Sequence, residues 1–219
     1  MMDSSIKLLL VLLISFELAF VQSIVVNILV IVLGMSYLLV KKVKLQKLLL
    51  LIIIPIIPVA STWSSFYVNG TGDFIHSAWL LSSRIYAYII LGGIFSFTTS
   101  INDLLSSLEQ NWHVPSKFVY GTLGAFNFAP RVRNSMLQIK TAALMRGEVL
   151  HVWSPQIFFK AILLSLRWSD NLSRAMQSHG YAENNVRTHY RKQRIPAWNW
   201  VLFITIFGVF QFIVLKKLP

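Results

Sequence analysis

Through the first hundred residues the chain is apolar with scattered polar interruptions; beyond them the apolar positions take up helical spacing against a basic face. Residues 6–40 are apolar except at Lys7, Ser15, Glu17, Gln22, Ser23, Asn27, Gly34 and Ser36. One helix of that length would far exceed a hydrocarbon core of about 30 Å. The run therefore predicts two short or slanted spans with a turn near Gln22 and Ser23. A basic loop follows at 41–47. A third span is predicted over 48–66, kinked by Pro55 and Pro58, then an outer loop over 67–77 that holds no Lys or Arg. A fourth span is predicted over 78–98, with Arg84 snorkelling near its outer end. Residues 198–215 make a fifth, with Trp198 and Trp200 as interfacial anchors.

Between the fourth and fifth spans the period changes. Thr98, Thr99, Ser100, Asn102 and Asp103 are capping-type residues, and Leu104, Leu105 and Leu108 predict a short amphipathic turn. Pro115 is read as starting one helix and Pro130 as leading into the next. On the latter, Val132, Met136, Ile139 and Ala143 form an apolar stripe that Arg146 continues. Ser154 and Pro155 suit the start of a second helix, the serine as cap and the proline at the first helical position. Its stripe is Ile157, Ala161, Leu164, Trp168, Leu172 and Ala175, continued by His179. Arg133 and Lys140, and likewise Lys160, Arg167 and Arg174, recur at seven on the other face.

The two helices end alike, in Ala142-Ala143-Leu144-Met145-Arg146-Gly147 and in Ala175-Met176-Gln177-Ser178-His179-Gly180. Glycine fits just past a helix end, where a left-handed backbone costs it little. A basic side chain in the last turn suits the negative end of the helix dipole. One such signature reads as a plain helix stop. Two copies 33 residues apart, each with its basic residue on the apolar stripe, read as a matched pair of tips presented to a partner.

Composition sets the class. Of 219 residues 55% are hydrophobic and 13% charged, too apolar and too weakly charged for a soluble domain, so the chain is read as an integral membrane protein. The first apolar run is followed at once by another and is read as retained rather than cleaved. The net charge of +12 would fit nucleic acid, but its placement does not: four of the 20 Lys and Arg lie in 41–47 and twelve in 117–194, both flanked by apolar spans. That is the distribution of cytoplasmic loops, with attraction to anionic headgroups as a secondary effect. Threaded this way, the N-terminus is cytoplasmic and the C-terminus external, which leaves Lys216 and Lys217 on the unfavoured side. With no cysteine, disulfides and thiolate metal sites are excluded. No paired carboxylates, metal-spaced histidines or Gly-rich phosphate loop appear. Glu17 is the one carboxylate inside an apolar span, either functional or reaching the headgroups.

Arg84, Thr98-Thr99-Ser100 with Asp103-Leu104, Pro115, the region of Pro130, Ala142 to Gly147, Ser165-Leu166-Arg167, Ala175 to Gly180 and Arg187-Thr188 occur in an order that resembles the transmembrane T component of energy-coupling-factor (ECF) transporters, the EcfT/CbiQ family. The likeness covers residues 80–190; the first 75 match only as apolar spans. It implies a non-catalytic scaffold joining two ABC ATPase subunits to a small membrane substrate-binding S component, for vitamin or metal-ion uptake. It implies no cofactor on this chain, ATP being used by the partner ATPases, and no nucleic acid. It implies two x-Arg-x tips docked in grooves on the ATPases, here Met145-Arg146-Gly147 and Ser178-His179-Gly180, supported by Ala142, Ala143, Ala175, Met176 and Arg187. His179 departs from the pattern, since the family places arginine there and histidine lacks its fixed charge and planar fork.

The expected fold is an all-α integral membrane protein of about five transmembrane helices, with cytoplasmic amphipathic coupling helices inserted before the last span. Its parts are 1–99 (helices one to four), 100–195 (cytoplasmic coupling-helix domain) and 196–219 (last span), in the multi-pass cell membrane of a prokaryote. A permease subunit of an ordinary ABC importer usually offers one coupling loop rather than two matched tips. A membrane enzyme needs a polar catalytic cluster, and a channel or secondary carrier needs inward ionisable groups; both are scarce here.

Overall fold

The long N-terminal apolar run breaks at its polar interruption. In the computed structural model, which describes residues 3–69, 73–149, 154–182, 192–193 and 195–216, helix α1 (Ser4–Phe20) ends at Val21 and α2 (Ile24–Val40) begins after Ser23. Asp3 starts α1 by accepting a hydrogen bond from the Ser5 backbone N–H at 3.0 Å, which satisfies one of the first-turn donors. Each helix has 17 residues, or ~26 Å of rise, a little short of the hydrocarbon thickness. The third span divides at its proline into α3 (Leu45–Ile53) and α4 (Ile56–Asn69). Pro55 has no N–H to give the preceding turn, so the helical ladder is interrupted there. Residues 45–68 together remain long and apolar enough to cross a membrane. So do α5 (Phe74–Thr98), which begins four residues earlier than expected, and the last helix. Residues 70–72 of the expected outer loop and Lys217 lie outside the described residues.

The connecting segment is more helical than its sequence indicated. In place of a short turn there is a 12-residue helix, α6 (Ile101–Trp112). In place of two helices meeting at Pro130 there is one of 30 residues, α7 (Ser116–Met145), with the proline inside it. A proline removes one backbone hydrogen bond and crowds the carbonyl four residues back, but helical turns on both sides hold the chain in register. Helix α8 (Pro155–Ser178) starts as expected with proline in its first turn. Ser154 caps it through its carbonyl, which accepts from the Ile157 N–H at 3.0 Å, and not through its hydroxyl. Helix α9 (Ala197–Lys216) completes the chain. Among the described residues every regular element is a helix, so the protein is an all-α membrane protein.

The chain divides into two compact units, residues 1–107 with 194–219 and residues 108–193; the division falls within α6. In the first unit α5 lies at the centre. It runs antiparallel to α1, with Lys7 at Thr98 and Val21 at Arg84, and alongside α2 in the same direction, with Asn27 at Ser83 and Gly34 at Ile90. Close approach depends on two glycines. A Cβ on Gly34 would lie 2.5 Å from Ile90 Cγ2, and one on Gly93 would lie 2.7 Å from Leu51 Cδ1. Lys7, the Lys41 ammonium over the Tyr37 ring and the Lys47 ammonium over the Phe97 ring mark one end of this unit.

At the other end Arg84 does not snorkel to solvent. Its guanidinium donates to the Val21 carbonyl at 2.7 Å, at the end of α1, where a last-turn carbonyl lacks a partner in its own helix. Glu17 is tied laterally, its Oε1 accepting a hydrogen bond from Gln211 Nε2 on α9. At the lysine-rich end, Ser107 of α6 is fully buried and bonds to both the Asp3 carboxylate and the Ser5 hydroxyl.

Candidate functional site

The second unit is built on an antiparallel pairing of α7 and α8. Near the end of α7, Ala143 (4% exposed) packs on Ile157 (2%) near the start of α8, with Met136 and Ile139 against them. Further along, the ring centroids of Phe128 and Trp168 lie 6.0 Å apart, and a Cβ on Gly124 would lie 3.1 Å from Leu172. At the far end Tyr120 meets Tyr181 edge-on at 6.0 Å. The apolar stripes predicted for the two helices therefore face each other. Arg133, Lys160, Arg167 and Arg174 are exposed on the other side, and Lys140 is half-buried.

One correction falls on the second stripe. Ala175 is exposed, and the half-buried residue of that turn is Met176, four after Leu172. At 3.6 residues per turn Ala175 would fall back in line with Ile157, so the half-buried position has moved round the helix at this turn instead of following the ideal period. Ala143 and Met176 thus occupy equivalent places, each three residues before the basic tip.

Both helices stop by one backbone device. In α7, Gly147 N–H donates to the Leu144 carbonyl and Glu148 N–H to the Ala143 carbonyl, both at 3.0 Å. In α8, Gly180 N–H donates to the Gln177 carbonyl at 3.0 Å and Tyr181 N–H to the Met176 carbonyl at 2.8 Å. Both glycines have φ +82°, a conformation that strains any residue with a Cβ. The paired bonds satisfy carbonyls that the helix ends would leave open. They also fix Arg146 and His179 as the capping residues, each aligned with the negative end of a helix dipole.

The site residues separate into those that are covered and those that present. Ala143 packs in the seam, and Met176 is half-buried at the equivalent place. Met145 (85% exposed), Arg146, Gly147, Ser178, His179 and Gly180 are exposed, as is Ala142. Ser178 turns its hydroxyl back to the Ala175 carbonyl at 2.9 Å, so its polar atom is engaged in the helix. Arg187 and Thr188 lie outside the described residues. Because the helices are antiparallel, the tips lie at opposite ends of the hairpin; from Tyr120 to Met145 the helical rise alone is ~38 Å. Sequence reading missed the Tyr120–Tyr181 contact and the Ser107 clasp. The aromatic residue just after the second stop was the one visible sign of the former. Among the described residues no cluster of three His, Asp or Glu side chains is placed to hold a metal.

The chain thus combines two isostructural helix stops on one hairpin with apolar helices long enough to span a membrane. Residues 2–190 match the model of the CbiQ family, described as cobalt transport protein. The chain belongs to the CbiQ family of cobalt transport proteins. A comparison with curated proteins finds no match. As a CbiQ-family protein the chain is a membrane component of a transport system and works with other subunits. The match runs over α1 through α8 and takes in both stops of the hairpin, so the tips lie within the matched region.

Proposed function

We propose that this CbiQ-family chain is the T component of an ECF-type ABC importer. In this reading it links two cytoplasmic ATPases to a small membrane-embedded S component that binds the vitamin or metal ion to be taken up. The chain itself is non-catalytic and binds no cofactor; ATP is used by the ATPases. It lies in the cell membrane of a prokaryote, with the lysine-rich end of the first unit and the basic hairpin on the cytoplasmic side, as the positive-inside rule favours. The coupling-helix domain is the segment 100–195, with 1–99 and 196–219 in the membrane.

The observation that carries the reading is the pair of like tips at opposite ends of one rigid hairpin. Movement of soluble subunits reaches a membrane protein only through an element that engages both. A single coupling loop would transmit one contact; two equivalent stops suit a pair of related partners. Arg146 offers a planar fork for carboxylates at one tip, and His179 offers a ring donor at the other. Met145, Leu144 (49% exposed) and the exposed Ala142 surround the first tip with apolar surface that a groove would cover.

The test is composition. When the chain is affinity-purified from its native membrane, two ATPase subunits and one small hydrophobic protein should come with it in fixed ratio. Recovery of the chain as a homo-oligomer with transport activity of its own would overturn the reading.

A further inference from the structure

The first unit contains an apolar cavity of about 410 Å3 between α1, α2, α5 and α9. Its volume falls within the range of ligand sites. The walls are almost wholly aliphatic and aromatic, and no acidic residue lines them. Leu33 and Val209 on its lining are more than half exposed, so the cavity opens sideways, where the surrounding medium is lipid.

One end of the cavity differs. Lys7 lines it while only 8% exposed, and Tyr37, in the last turn of α2, lines it too. The Lys7 ammonium donates to the Thr98 carbonyl at 3.2 Å and to the Thr98 hydroxyl at 3.4 Å, at the last residue of α5. An ammonium has three donors, and both of these partners are neutral oxygens. The Lys41 ammonium stands 5.8 Å from the centre of the Tyr37 ring. The Asp3 carboxylate, one turn back, attracts the Lys7 ammonium but accepts hydrogen bonds from Ser5 and Ser107 instead, and a buried cation is costly unless an anion answers it directly. Here a long apolar cavity ends at one buried cation; a phenol also lines it, with a second cation against that phenol.

We propose that this cavity is a binding site for an anionic phospholipid. One acyl chain lies between α1, α2 and α9, and the phosphate meets Lys7, Tyr37 and Lys41 at the lysine-rich end. A zwitterionic lipid fills the same apolar space but gains less from the two lysines. This site is separate from the two tips and does not depend on their role.

Native mass spectrometry of the full chain tests it, by titration with phosphatidylglycerol and with phosphatidylcholine of the same chain length. The wild type should retain one phosphatidylglycerol in preference to phosphatidylcholine. Lys7→Gln should reduce that preference about five-fold, the effect of one lysine near an anionic surface. Because Lys7 also ties α1 to α5, Lys41→Gln, at an exposed position, should independently give a loss of the same order. Val209→Trp, which narrows the opening, should weaken both lipids alike. Equal binding of the two lipids by the wild type would overturn the proposal, as would an unchanged preference in both lysine variants or undiminished binding in Val209→Trp. Displacement of the lipid when the partner subunits assemble would also overturn it, by assigning the cavity to a protein helix.

Discussion

Tyr181 stands edge-on to Tyr120, with ring centroids 6.0 Å apart and planes at 85°. Tyr181 is the residue whose N–H closes the second helix stop, and Tyr120 lies in the second turn of α7. The contact therefore holds the His179 tip beside the root of the helix that ends, some seven turns later, in the Arg146 tip. The two tips are the far corners of one antiparallel hairpin.

The spacing of those corners can be measured directly. The chain has no cysteine, so spin labels can be placed singly at Met145→Cys and Ser178→Cys, both exposed. Electron–electron dipolar spectroscopy should give a narrow distance distribution centred near ~40 Å, from 1.5 Å of rise per residue along α7. A distance near ~20 Å would mean that the tips lie side by side and would contradict the antiparallel pairing.

The two glycines should be equally intolerant of a side chain. Gly147→Ala and Gly180→Ala each put a Cβ into a left-handed conformation, at a cost of about 1–2 kcal/mol. Open space surrounds both positions, so the penalty is backbone strain and not a clash. Hydrogen exchange at the Glu148 amide in the first variant, and at the Tyr181 amide in the second, should speed up roughly 5- to 30-fold. Unchanged protection would show that the paired bonds do not depend on glycine.

Within the first unit, Glu17 and Gln211 join α1 to α9. Gln211→Leu leaves the carboxylate oxygen that it served without a donor, at about 1–3 kcal/mol. Glu17→Leu combined with Gln211→Leu removes both polar groups and should recover most of that loss. Thermal unfolding in detergent should rank wild type and the double variant above Gln211→Leu alone. Equal midpoints for all three would deny the bond a structural role.

Much of this architecture was legible in the chain because the bilayer imposes lengths and the helix imposes a period. The break at Gln22–Ser23, the proline-divided third span, the facing stripes of α7 and α8 and the glycine stops all follow from those two rules. What escaped depended on tertiary partners. Pro130 reads locally as a helix boundary, yet the turns on either side carry α7 through it. Arg84 reads as a snorkelling side chain because its partner is a backbone carbonyl 63 residues away, and nothing in the sequence marks it. Ala175 and Met176 are adjacent, and the ideal period points to Ala175, so nothing in the sequence marks Met176 as the half-buried one. Ser107 stands among Leu104, Leu105 and Leu108, and nothing in that pattern marks it as the residue that bonds to the start of α1.

The unlike residues at the two tips make a graded series possible. If His179 contacts an acidic groove, His179→Arg should keep ATP-driven uptake, since it adds the fork and the fixed charge. His179→Asp should reduce uptake below His179→Ala at equal expression, because repulsion replaces a mere absence of contact. Uptake that is the same in Asp, Ala and wild type would leave Arg146 as the one coupling tip.

The proposed T-component role places the grip of a soluble ATPase at Arg146. A charge-assisted contact contributes about 1.5–3 kcal/mol, so its loss should weaken the interaction roughly 10- to 150-fold. The most direct measurement is the affinity of the purified ATPase pair for the chain reconstituted in lipid nanodiscs, comparing wild type with Arg146→Ala. The expected result is a loss of at least about ten-fold for Arg146→Ala, with normal membrane insertion and an unchanged Met145-to-Ser178 spacing. Wild-type affinity in Arg146→Ala would contradict docking through this tip.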